Sequence, residues 1–168
     1  MTIRDIRNFI MGLRPELLDQ HDLVGSLQAL AEEVRLNSMV AVEAAIDPAA
    51  ADALPEGSRA TILHITREAL SNVARHSHAS HASVILRLDR SSVRLEINDN
   101  GVGFDASEVR GPGHQGLTNM AGRATRHGGH LRIETGAGVG TRIIVTLDRT
   151  TDPSEGPRFE ETSEQEAR

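Results

Sequence analysis

Apolar and polar residues alternate most cleanly in the middle of the chain. Val93, Leu95 and Ile97 interleave with Arg94, Glu96 and Asn98, so Ser91 to Asn98 reads as a strand. It exits into Asp99-Asn100-Gly101-Val102-Gly103-Phe104, a glycine turn with a carboxylate at its mouth. Just upstream, His81 to Asp89 sets Ala82, Val84, Leu86 and Leu88 against Ser83, Ile85 and Arg87, and the short Arg90-Ser91 connection predicts a hairpin. Helical spacing takes over elsewhere. Ile3, Ile6, Ile10 and Leu13 predict an amphipathic helix over 2–14, and Leu23, Leu27, Leu30 and Val34 predict another over 23–36. Val40 to Ile46 reads as a strand, and Asp47 to Gly57, rich in Ala, Pro and Asp, as a loop. Ser58 is the expected N-cap of a long helix running from Arg59 to about Ser77, with Ile62, Ile65, Ala69 and Val73 as its buried stripe. Leu117, Met120, Ala121 and Ala124 predict a helix stopped by Gly128-Gly129, and Leu131 to Ile133 and Ile143 to Leu147 supply the last strands. Asp105 to Gln115 has no period and reads as a mobile lid; the acidic stretch from Arg149 onward reads as a disordered tail.

These elements predict an α/β (α+β) two-layer sandwich, a mixed sheet of about five strands with three helices on one face. Composition narrows the chemistry. The 168 residues contain no Cys, Trp or Tyr and three Phe, so the core is aliphatic, and disulfides and thiolate metal sites are excluded. Every basic residue is Arg and the net charge is -6, which argues against nucleic acid as a partner. No apolar run reaches the ~20 residues a membrane-spanning helix needs, and the chain does not open as a signal peptide; the expected location is cytoplasmic, with the parent protein free to be membrane-attached.

Two more glycine clusters follow the first: Gly111-Pro112-Gly113-His114-Gln115-Gly116-Leu117 before a helix, and Gly136-Ala137-Gly138-Val139-Gly140-Thr141 before the last strand. A helix that starts right after a glycine loop points unpaired N–H groups at whatever the loop encloses, a seat for phosphate oxygens. Neither cluster is a P-loop or a dinucleotide fingerprint. On the long helix, Glu68 and Asn72 lie one turn apart with Arg75 and His76 a turn further on, an edge carrying an acid, an amide and two groups able to carry positive charge. His76, His78 and His81 are spaced two and three apart, which does not gather them on one face as a metal site would need.

Arg67-Glu68-Ala69-Leu70-Ser71-Asn72-Val73-Ala74-Arg75-His76-Ser77, Asp99 to Phe104, Gly113 to Leu117 and Gly138-Val139-Gly140-Thr141 resemble, in order, the N box and three glycine boxes of bacterial sensor histidine kinases, most closely the nitrate-sensor and desaturase-regulator type. The resemblance covers about residues 1–148 and implies the ATP-binding fold shared with gyrase, Hsp90 and mismatch-repair ATPases. It implies that Asp99 reads the adenine amino group while Gly101 and Gly103 let the backbone approach the base. Asn72 would hold Mg2+ through its side-chain oxygen and Glu68 would hold a magnesium-bound water, the two acting as the catalytic pair. Arg75 and His76 would face the phosphates; Gly113, His114, Gly116 and Leu117 would close the ATP lid; Gly138, Gly140 and Thr141 would line the remaining wall. Phe104 would anchor the lid rather than touch ATP.

The resemblance also implies an organisation: residues 1–14 as the end of a second dimerisation helix, 15–36 as linker and first helix, 37–148 as the catalytic ATP-binding domain and 149–168 as tail. The phosphoacceptor box is missing, since His21-Asp22 falls in the linker beyond Leu13-Arg14-Pro15. The expected function is donation of the ATP γ-phosphate to a histidine on a dimerisation domain of the same kinase, for onward transfer to a response regulator, with a homodimeric parent and a monomeric fragment. Anti-sigma-factor-type serine kinases share the fold and are the alternative, which the Leu13-Arg14-Pro15 signature disfavours. One departure concerns the lid helix, where Ala121-Gly122 replaces charged residues; Gly122 loosens the helix by about 1 kcal/mol relative to Ala.

Overall fold

The computed structural model describes residues 22–105 and 115–149. The expected helix over 2–14, the start of the linker with His21, the lid residues 106–114 and the tail from 150 lie outside that range.

Five strands form one sheet in the order β1-β2-β3-β5-β4: β1 (Ala41–Ile46), β2 (His81–Leu88), β3 (Ser92–Asp99), β4 (His130–Gly136) and β5 (Gly140–Asp148). The expected β2–β3 hairpin is present, with Leu86 opposite Leu95 and Val84 opposite Ile97. Only β1 and β2 run parallel, and the helices between them form the crossover that a parallel pair requires. Period-two alternation sends Val84 and Leu86, Val93, Leu95 and Ile97, and Ile143, Val145 and Leu147 to a single face, where all are buried. On that face lie α1 (Leu23–Asn37), α2 (Pro48–Asp52), α3 (Glu56–Asn72) and α4 (Gln115–Arg126). The core is aliphatic, as the composition dictates: Leu27, Leu54, Ile62, Ile65, Leu70 and Met120 close it from the helix side.

Three local readings are corrected. The expected loop at 47–57 contains α2, because Asp47 accepts the Ala49 N–H at 2.9 Å and Pro48 supplies a helical first position. The long helix begins at Glu56 after Pro55, and Ser58, expected as its N-cap, is buried within it; the Pro55 carbonyl takes the Ser58 N–H at 2.9 Å instead. That helix is α only to Asn72. Val73–Ser77 is a π-helical turn, which ends where His78 takes a left-handed conformation at φ 51°.

The opposite face of the sheet carries charge. Glu96, 4% exposed, accepts Arg142 at 2.6 Å and lies 2.7 Å from Arg87 and 2.9 Å from Arg94. The flanking Ile85 and Ile144 lie directly across the ladder from Glu96.

Candidate functional site

Asp99 ends β3 with its side chain on the helix-facing side, in register with Thr141 on β5. Its Oδ1 accepts the Gly101 N–H at 2.8 Å, and Thr141 stands opposite Asp99 in the ladder. Burial raises the carboxyl above the ordinary aspartate range, and the Gly101 N–H and the polar groups of Thr141 hold the rise in check. A half-buried carboxylate with donors on one side keeps acceptor capacity on the other.

The turn after Asp99 is sewn to its neighbours by the backbone. Val102 donates to the Ser77 carbonyl at 2.8 Å, and its own carbonyl accepts the Gly138 N–H at 2.7 Å. Gly101 passes so close to the Ser77 carbonyl that a side chain would collide with it. Gly103 (φ 62°) packs just as tightly on the Gly136 carbonyl, and Gly140 (φ 85°) on the Asp99 carbonyl, so two glycine clusters interlock backbone to backbone. The π turn contributes here: Ser77 bonds back to the Val73 carbonyl through Oγ at 2.7 Å while its own carbonyl serves Val102.

Facing this turn across a cavity of about 660 Å³ stand Glu68 and Asn72 of α3 and Arg75 and His76 of the π turn. Asp99, Gly103, Thr141, Gly116 and Leu117 complete the wall. The side chains of Glu68 and Asn72 make no hydrogen bond or ion pair with the described residues, so both present free oxygens to the cavity, the hard donors that suit Mg2+. Gly116 opens α4 directly against the Glu68 carboxylate. Arg67 also lines the cavity, and its charge together with that of Arg123 acts on His64, whose pKa falls below its ordinary value first through burial and then through these two cations.

Of the residues singled out in the sequence, Gly101, Gly138 and Gly140 shape the wall from behind without lining it, and Gly113 and His114 lie outside the described residues. Phe104, expected only as an anchor, lines the cavity as well as packing on the core. Leu30, Glu33 and Val34 of α1 also line the cavity, and none of them belongs to a motif. Leu30 and Val34 belong to the apolar stripe of α1, which was legible as a stripe but not as a cavity wall.

Residues 57–151, more than half of the chain, match the model of the histidine kinase-, DNA gyrase B- and HSP90-like ATPases. Sensor histidine kinase LiaS of Bacillus subtilis is 36% identical over 143 residues, which is 85% of this chain and 39% of that protein. Sensor histidine kinase MctS of Rhizobium johnstonii is 30% identical over 90% of this chain and 33% of its own length. The chain thus spans well under half of these curated relatives. Among solved structures, the Erythrobacter litoralis EL346 blue-light activated histidine kinase superposes with a TM-score of 0.62 at 18% identity, over 73% of this chain and 40% of that one. The mycobacterial sensor histidine kinase MprB gives 0.57 at 21%, over 78% of this chain and 97% of that one. At such identities the likeness speaks for the fold.

Proposed function

Because the chain belongs to the histidine kinase-, DNA gyrase B- and HSP90-like ATPase family, we propose that it is the ATP- and magnesium-binding catalytic part of a cytoplasmic sensor histidine kinase. It passes the γ-phosphoryl group to a histidine on a dimerisation domain outside this chain, and from there the group moves to an aspartate of a response regulator.

One observation carries the reading. The Asp99–Thr141 pair and the Glu68–Asn72 pair line the same cavity, and Gly116 at the start of α4 packs against Glu68. A base reader and a phosphate seat lining one cavity suit a nucleoside triphosphate. Asp99 accepts from the exocyclic amino group of adenine, and the bare backbone at Gly103 lets the base approach. Arg75 and His76 lie toward the triphosphate, and the first turn of α4 at Gly116 and Leu117 offers unpaired N–H groups to its oxygens.

Mg2+, when bound, neutralises phosphate charge. Asn72 would hold it by its side-chain oxygen and Glu68 would hold it through a water. In the transfer, the bond between the γ-phosphorus and the β–γ bridging oxygen breaks as an imidazole nitrogen of the acceptor forms a bond to phosphorus. ADP leaves with the bridging electrons, and the acceptor sheds its ring proton. For this chemistry the protein mainly positions groups and neutralises charge.

Incubation with γ-labelled ATP and magnesium, with and without a separately supplied dimerisation domain, tests the proposal. Acid-labile label is expected on the supplied domain and none on this chain alone. Label on His21 of this chain would overturn the assignment of the acceptor, and acid-stable label on serine of a partner would establish the anti-sigma-factor-type alternative.

A further inference from the structure

Thr135 stands opposite Thr141 in the β4–β5 ladder, and its hydroxyl sits at a junction. Oγ1 accepts the Phe104 N–H at 3.1 Å, donates to the Gly140 carbonyl at 3.0 Å and lies 3.4 Å from the Thr141 hydroxyl. Thr141 in turn pairs with Asp99 in the β3–β5 ladder. A single side chain therefore touches the backbone that leaves the first glycine turn, the carbonyl of the last glycine and the hydroxyl of the residue paired with Asp99.

We propose that Thr135 is a positioning residue for base recognition, fixing Thr141 and Phe104 so that Asp99 presents its free oxygen in one orientation to the adenine amino group. The inference rests on the nucleotide reading above. Its chemistry follows from counting protons. Thr135 gives its one proton to Gly140, so the 3.4 Å contact between the two hydroxyls is bridged by the proton of Thr141, the residue that pairs with Asp99 in the ladder. A lone pair of Thr135 takes the Phe104 N–H. A methyl in place of the Thr135 hydroxyl removes the acceptor that this half-buried N–H uses and the oxygen that holds the Thr141 hydroxyl.

The chain carrying Thr135→Val, Thr135→Ala or Thr135→Ser is compared with the unmodified chain by calorimetric titration with a non-hydrolysable ATP analogue, with ADP and with inorganic triphosphate. Thr135→Val and Thr135→Ala are expected to weaken the ATP analogue and ADP alike by about tenfold, the loss that follows when a shielded hydrogen bond is removed. Triphosphate binding is expected to stay put, and Thr135→Ser, which keeps the hydroxyl, to bind within about twofold of the unmodified chain. A purely structural role would lower the melting temperature of all three variants without separating base from phosphate affinity. Unchanged ADP affinity in Thr135→Ala, or an equal loss in Thr135→Ser, would overturn the assignment. If the unmodified chain binds neither adenine nucleotide, the nucleotide reading itself fails, and with it this role.

Discussion

The Glu68 carboxylate occupies the space that a side chain on Gly116 would require. Gly116 therefore lets α4 approach α3 closely, and Glu68, the acid of the proposed catalytic pair, rests against the first turn of α4, where the helix N-terminus makes a negative charge favourable. A methyl on Gly116 has to displace either the carboxylate or the turn. Gly116→Ala is expected to fold normally and to lose at least about tenfold in transfer to a supplied acceptor domain. Glu68→Gln keeps the shape and removes the charge, so it should retain nucleotide binding within a few-fold while transfer falls by about a hundredfold. Single-turnover transfer with γ-labelled ATP separates the two; wild-type rates in both variants would remove Glu68 from the chemistry.

Asp99 is held at a cost to stability. Its carboxyl ionises above the ordinary range when folded, chiefly because it is buried, so between the unfolded and the folded pKa the native state binds more protons than the unfolded chain. Stability of the nucleotide-free protein therefore falls as pH rises through that window, and the loss persists above it. Asp99→Asn is expected to unfold at a higher temperature than the unmodified chain at pH 7 and to gain nothing from added ATP, whereas the unmodified chain is stabilised by it. Thermal unfolding with and without nucleotide reads both effects. Ligand stabilisation surviving in Asp99→Asn would remove the adenine assignment.

The parts of this architecture set by local chemistry were legible in the chain. Alternation around Val93, Leu95 and Ile97 placed β3 and its hairpin correctly, because one face of that strand is wholly buried. The glycine turns were visible because close backbone approach at Gly103 and Gly140 tolerates no side chain. The α2 helix was missed because five residues are too few for periodicity, although Asp47-Pro48 is a capping signal in its own right. The π turn at Val73–Ser77 could not be seen, since its apolar spacing differs from an α-helix by one residue over a single turn. Glu33 and Thr135 carry no signal for a different reason: the place of Glu33 at the cavity and the contacts of Thr135 with Phe104 and Gly140 follow from which strands and helices become neighbours, and no spacing along the chain records that.

Glu96 is the opposite case to Asp99. Burial works against its ionised form, but Arg142, Arg87 and Arg94 outweigh it and hold the carboxyl below the usual glutamate range. A depressed folded pKa contributes stability that is present above the unfolded value and is lost as pH falls through the folded one. Glu96→Gln is therefore expected to cost about 1–3 kcal/mol at pH 7, since it leaves three guanidinium groups around a neutral amide, and to flatten the acid limb of the stability curve. Denaturant titrations of both proteins from pH 7 down to pH 3 measure this. Parallel acid limbs would show that other carboxylates set the acid sensitivity.

Two glycines in the same domain should respond to alanine with opposite signs. Gly122 lies inside α4 on its exposed side with no neighbouring atom within 4 Å, so a methyl meets nothing and only the helix propensity changes. Gly122→Ala is expected to stabilise by about 0.8–1 kcal/mol, partly by restricting the unfolded chain, and to raise the melting temperature by about 3–5 °C. Gly140 sits at φ 85° with its Cα against the Asp99 carbonyl, so Gly140→Ala meets both a backbone conformation that alanine resists and a direct collision. A loss of about 2 kcal/mol or more is expected, and because the carbonyl it strikes belongs to Asp99, nucleotide affinity should fall with it. Melting curves and titrations on both variants give four numbers. If Gly122→Ala destabilises, α4 is not helical at that position in solution. If Gly140→Ala melts early yet binds ATP with full affinity, the third glycine cluster supports the sheet alone and does not set the geometry of Asp99.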